Sequence, residues 1–285
     1  MKNNTALKIA PEDNGIEFFL KKLERGGASP HTIDSYRFAV SKYLKDYGEV
    51  NRRNLAVWRN DLIDRYAPRT VCVRITAMNT YLKYLKKDAL KLQTIKIQQK
   101  PFLDNVISMA DYEFLKKKLK KDGNLQDYFL IWFLGATGAR VAEFAKLKAE
   151  HVQAGHVDIY GKGTKMRRIY IPENLRKAAL LWLAESGKES GYLFTGNAPG
   201  SHDAALTSEG IRFRLNRIGK RYGIDKTVMH PHSFRHMFGK AFFEQTKDLA
   251  LLADLMGHES IDTTRIYTRR TATEQRELVD KTVTW

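Results

Sequence analysis

Residues 127–147 read DYFLIWFLGATGARVAEFAKL, and they decide how the rest of the chain is to be read. From Tyr128 to Leu134 the stretch is apolar at every position, which suits a helix that is buried on most of its faces. The small-residue run GATGA then interrupts it, and VAEFAKL resumes at helical spacing. A buried helix, a tight turn and a second helix are predicted, in a mainly α-helical domain.

Working outward, ISMADYEFLKKKLKK (107–121) predicts a preceding helix, with Ser108 as its cap ahead of Asp111. Downstream, HVDIYGKGTKMRRIYIP (156–172) alternates in the strand manner about a glycine turn, so a β-hairpin is expected. Helices resume from about Glu173 and run to the end. Four short helices are predicted upstream, between Ile16 and Leu92. GGASP, Gly48 and the Ala67–Pro68 step separate them. Apolar residues there recur at three and four, as in Tyr36, Val40, Tyr43, Leu44 and Tyr47, with Lys and Arg between them. A solvated helical bundle with no further task fits that pattern equally well. LQTIKIQQKPF (92–102) is polar, holds a proline and lacks helical periodicity. The expected organisation is an N-terminal helical domain at 12–95, a linker at 96–102, and a second domain at 103–285 with a tail segment at 272–285.

The chain has 285 residues and a formal net charge of +17, and both halves are basic. Such a field draws a folded protein toward a polyanion, either nucleic acid or an acidic membrane surface. One cysteine, Cys72, excludes an internal disulfide framework and a cysteine cluster for zinc or iron–sulfur. MKNNTALKIAPEDNG has no apolar core behind its lysine, so neither a signal peptide nor an anchor is expected. YFLIWFLGA is too short to span a bilayer. The expectation is a soluble, cytoplasmic protein that acts on nucleic acid and uses no membrane.

Four places carry residues suited to chemistry. In GATGARVAE, Arg140 stands at a helix start, against the dipole preference, with Glu143 one turn on. A guanidinium there can grip phosphate through two parallel hydrogen bonds, although a surface ion pair has the same spacing. Lys162 sits in the hairpin turn, where a cation can reach a groove or simply stay solvated; the P-loop spacing is absent. In HPHSFRHMF, His232 and His236 are four apart. Arg235 between them disfavours a divalent metal, so His232 and Arg235 are better read as joint contacts to an anion. In LLADLMGHESIDTTRIYTR (251–269), a helix should end at Gly257, His258 follows in the turn, Ser260 can cap the next helix, and that helix is expected to carry Tyr267 among arginines. Two arginines, a lysine, two histidines and a tyrosine make an inventory for phosphoryl transfer without metal or cofactor.

These stretches resemble the tyrosine recombinases, the integrase family that includes the Xer proteins, Cre and lambda integrase. The family pattern TGxRxxE appears as TGARVAE, GKGxK as GKGTK, HxxRH as HSFRH, and GHxSxxTTxxY as GHESIDTTRIY, in the family's order. GASPHTIDSY to MNTYLKYL also resembles the family's core-binding domain, so almost the whole chain is covered. Ala139, Ala142, Phe144 and Phe234 depart from common family choices and read as repacking. A separate arm-site module of the lambda type is not expected.

The resemblance implies a mainly α fold with a small β-hairpin, its SAM-like core-binding and catalytic domains forming a C-shaped clamp on double-stranded DNA. It implies that Tyr267 attacks a phosphodiester to form a 3′-phosphotyrosyl link. Arg140 and Arg235 would hold the nonbridging oxygens, His232 would serve as base, and His258 would bond the phosphate. Lys162 would protonate the leaving 5′-oxygen, with Glu143 and His236 supporting from behind. A homo-oligomer on DNA is implied, a dimer per site and a tetramer in synapsis. The rivals are a type IB topoisomerase-like nicking-closing enzyme and an architectural DNA-binding protein that has lost catalysis; the intact residue set weighs against the second. Target sequence, direction of recombination and any accessory protein are not legible.

Overall fold

The computed structural model describes residues 13–96, 105–160, 166–196, 204–258, 260–268, 276 and 279–285. The chain divides into two compact units, Met1–Gln99 and Lys100–Trp285.

The first unit holds α1 (Asp13–Arg25), α2 (Pro30–Tyr47), α3 (Arg52–Arg65) and α4 (Pro68–Tyr84). Local chemistry sets their ends. Ser29 caps α2 by accepting from the Thr32 N–H at 3.2 Å, and Asn51 caps α3 from Asn54 at 2.8 Å. Such caps satisfy donors that a helix start leaves unpaired, each contributing about 1 kcal/mol. α2 packs on α1 and α4, burying Phe19, Val40, Tyr43, Trp58, Ile75, Met78 and Leu82. After α4, the Asn79 side chain donates to the Leu92 carbonyl at 2.8 Å and accepts from its N–H at 2.9 Å. Residues 91–96 are thereby tied back to their own unit, and the remainder of the expected linker lies outside the described residues.

The second unit opens with α5 (Met109–Lys121), capped by Ser108, whose hydroxyl accepts from the Asp111 N–H at 3.0 Å. Next come α6 (Leu125–Thr137), α7 (Val141–Phe144) and α8 (Ala149–Ala154). α6 is buried along most of its length, as its apolar run predicts. α7 is shorter than VAEFAKL suggests. Pairing of Leu147 with Leu193 and of Ala149 with Gly191, at 2.7 and 2.9 Å, takes up backbone groups that a longer helix would need. β1 (His156–Tyr160) and β2 (Met166–Tyr170) form an antiparallel pair with Asp158 opposite Arg168. α9 (Glu173–Glu185), α10 (Ser208–Tyr222), α11 (Pro231–Thr246), α12 (Leu249–Met256) and α13 (Ile261–Thr264) follow, then a 3₁₀ turn at Arg265–Thr268. α6 and α11 pack together inside a core that includes Leu130, Phe133, Phe144, Ile169, Phe194 and Phe234. A smaller cluster joins Leu252, Met256 and Tyr267 to Phe238 and Phe242.

The fold is thus mainly α with a small hairpin, as expected. Among the described residues no helix is long and apolar enough to cross a membrane.

Candidate active site

The C-terminal end of α12 organises the site. A helix leaves its last carbonyls unpaired and carries partial negative charge there. Here three successive carbonyls each receive a different arginine. Arg167 donates to Leu255 at 2.5 Å, Arg235 to Met256 at 2.6 Å, and Arg140 to Gly257 at 2.6 Å. Gly257 adopts φ 60°, and any Cβ there would collide with the Arg167 side chain, so two independent reasons require glycine.

Each arginine comes from a different element. Arg140 precedes α7, Arg167 lies on β2, and Arg235 lies on α11, where it also donates to the Gly138 carbonyl at 2.5 Å. One carboxylate serves the group: Glu143 accepts the Arg140 backbone N–H at 2.7 Å, the Arg140 guanidinium at 3.1 Å, and the Arg167 guanidinium. Burial pushes the Glu143 carboxyl upward, but the Arg140 N–H and Arg167 outweigh it and hold the group below the ordinary carboxylate value. Burial first, then Arg140 and Arg167, bring the Arg235 guanidinium down to about 10. Three guanidiniums against one carboxylate leave an excess of positive charge. Arg140, Glu143, Arg167, Gly257 and His258 border a cavity of about 870 Å³.

Tyr267 lies beside this cluster and is 3% exposed. Its ring rests on Gly239 of α11, where an added Cβ would stand 2.6 Å from ring carbons. Its hydroxyl is 3.1 Å from Nδ1 of His236, the histidine read as a support. The His232 ring lies edge-on to His236, with centroids 4.2 Å apart. His258 is held from both sides, Nδ1 2.8 Å from the buried Thr264 hydroxyl and Nε2 3.3 Å from Arg235. Burial raises the Tyr267 hydroxyl to about 12, partly offset by Arg235. Burial, followed by neighbouring cations, lowers His236 and His258 to about 4. Both imidazoles are therefore neutral at pH 7 and able to accept a proton.

The structure brings together Arg140, Glu143, Arg235, His236, His258 and Tyr267, with His232 against His236. Lys162 lies outside the described residues. Arg167 escaped the sequence reading, although a signal was present. It shares a strand face with the buried Ile169, so MRRIYIP places a cation on the inward side of β2. Ser260 caps α13 as expected, but that helix ends at Thr264 and does not carry Tyr267, which lies on the 3₁₀ turn at Arg265–Thr268.

Residues 105–274 match the phage integrase family. The tyrosine recombinase XerA of Pyrococcus furiosus is 30% identical over 272 residues, covering 93% of each chain. The tyrosine recombinase XerD of Listeria innocua is 29% identical over 274 residues, covering 86% of this chain and 90% of its own. Among solved structures, the XerH site-specific recombinase bound to its difH substrate in a pre-cleavage complex is similar, with a TM-score of 0.69 and 21% identity, over 96% of this chain and 85% of that one. A lambda integrase dimer bound to a core site gives 0.67 at 12% identity, over 90% and 94%. At these identities the solved structures speak for the fold, whereas the family match and the XerA relationship span the arginine cluster and Tyr267 alike. The chain belongs to the phage integrase family of tyrosine recombinases.

Proposed function

We propose that the protein is a site-specific recombinase of double-stranded DNA working through a 3′-phosphotyrosyl intermediate. The Tyr267 oxygen attacks a backbone phosphorus, the bond to the 5′-oxygen breaks, and a new phosphate ester to the tyrosine forms. The phenolic proton passes to a neutral imidazole, His236 in the resting arrangement or His232 beside it, and Lys162 supplies a proton to the departing 5′-oxygen. Arg140 and Arg235, with His258, stabilise charge on the phosphoryl oxygens of the transition state. Attack by a free 5′-hydroxyl of another strand reverses the step and completes exchange without a nucleotide cofactor.

The observation that carries this reading is the gathering of three guanidiniums on the last carbonyls of α12 beside a buried tyrosine. The excess charge suits a phosphate. Incubating the protein with DNA from its own source, trapping covalent complexes under denaturing conditions and sequencing both partners tests it. A Tyr267 peptide bearing DNA from a defined site is expected; adducts on another residue, or on random DNA, would refute the assignment.

The protein is proposed to act in the cytoplasm, as a dimer on each site and a tetramer when two sites pair. Val279, Val283 and Trp285 are exposed, Trp285 by 93%, which is an unusual cost for a tail with no partner. Leu278, part of the same apolar set, lies outside the described residues. We place this segment against a neighbouring protomer. Deleting residues 274–285 is expected to leave half-site binding within a few-fold of the intact chain but to remove cooperative filling of a full site and most recombination. Gel-shift titration on full and half-sites checks this, and undiminished cooperativity would exclude a connecting role.

A further inference from the structure

We propose that Arg167 is a positioning residue for strand cleavage, locking Glu143 to the last turn of α12 and so fixing Arg140 and His258 about one phosphate. The inference rests on the recombinase reading above and adds a residue to it. Arg167 is a buried cation on the inward face of β2, its side chain 10% exposed. One terminal nitrogen donates to Glu143 and the other to the Leu255 carbonyl. Glu143 in turn holds Arg140 through both backbone and guanidinium, and Leu255 is three residues before His258. Without Arg167, α7 and the end of α12 would lose one of two links, the other being the Arg140 guanidinium on the Gly257 carbonyl. The Gly257 backbone packs directly on the arginine's side chain, so the end of α12 is built around this residue. Among the described residues Arg167 Nε is buried with no hydrogen-bond partner, a cost that a purely stabilising residue at this position has no reason to carry.

A lysine cannot reproduce the brace. Its ammonium is a point charge, whereas the planar fork of arginine reaches two acceptors at once. Charge and geometry are therefore separable by substitution. Arg140 and Arg167 are the charged groups that hold Glu143 down, and Glu143 in turn acts on Arg235. Loss of Arg167 removes one of the two groups that hold the Glu143 carboxyl down, so the carboxyl protonates at higher pH and releases Arg140 sooner as pH falls.

Arg167→Ala and Arg167→Lys would be compared with the intact chain by thermal unfolding, by half-site binding, and by single-turnover cleavage of a nicked duplex carrying the mapped site. The Glu143 carboxyl would be titrated by carbon-13 NMR. Arg167→Ala is expected to bind within about threefold yet cleave about a hundredfold more slowly, the scale of a 1 Å misplacement. Its acid limb and its Glu143 titration should both move to higher pH. Arg167→Lys is expected to restore the Glu143 titration but only part of the cleavage rate. Cleavage by Arg167→Ala within about threefold of the intact chain would overturn the proposal. So would binding and cleavage falling together, or failure of both variants to fold. If the intact chain forms no adduct, the recombinase reading fails on its own. The NMR arm still decides whether Arg167 holds Glu143: an unmoved titration rejects the brace.

Discussion

Replacing Tyr267 with phenylalanine is expected to abolish the covalent protein–DNA adduct entirely while leaving a folded protein that binds its site. The ring packs against Gly239, Leu252 and Met256, and phenylalanine keeps those contacts. Only the hydroxyl is lost, with its bond to His236. One such bond contributes about 1 kcal/mol, too little to unfold a domain of this size. Chemistry suffers far more, because no other oxygen occupies the nucleophile's place. Denaturing gels with a nicked half-site check the adduct, and a persisting band would move the nucleophile elsewhere. The buried resting position also explains why a neighbouring imidazole matters. A hydroxyl pushed up to about 12 is almost wholly protonated at pH 7, so attack needs a base. His236, lowered to about 4, is neutral at pH 7 and within reach of that proton, although the same burial weakens it as a base.

Arg140→Ala and Arg235→Ala should each slow cleavage by on the order of a hundred- to a thousandfold or more, by removing donors to the transition-state oxygens. Their effects on stability should differ. The Arg140 side chain is 45% exposed, and its truncation should change folding stability by no more than about 0.5 kcal/mol. Arg235 is 3% exposed and satisfies two buried carbonyls, Gly138 and Met256. Leaving both without donors costs roughly 1–3 kcal/mol each. Thermal unfolding beside single-turnover cleavage separates the two. A cleavage rate near that of the intact chain would remove that arginine from the site, and equal stability losses would contradict the burial contrast.

How much of this was legible in advance depended on the range of the interaction involved. The ends of α2, α5, α12 and α13 follow from Ser29, Ser108, Gly257 and Ser260, because capping acts over three or four residues. The proposed chemical residues stood out because transfer of a phosphoryl group needs cations, an imidazole and a nucleophile, and these recur at family spacing. Pairing of Leu147 with Leu193 was not, since it joins backbone far apart in sequence and shortens α7. Nor was the contact between His236 and the tyrosine hydroxyl. It depends on the close approach of Tyr267 to Gly239, which brings the 3₁₀ turn against α11. Arg167 was hidden for a related reason: in a chain with 49 lysines and arginines, an inward-facing cation looks like any other until its carbonyl and carboxylate are seen.

The three arginines on three successive carbonyls place an unusual demand on the length of α12. Inserting or deleting one residue would turn its final carbonyls by about 100° and shift them by about 1.5 Å, while Arg140, Arg167 and Arg235 stayed fixed on other elements. All three bonds would then fail together. A change of side chain on the solvent face, as at the exposed Ala250, leaves every carbonyl where it was. The eight residues of α12 should therefore accept a wide range of substitutions outside its buried face but no change in their number, and a library combining both kinds of change would show that asymmetry directly.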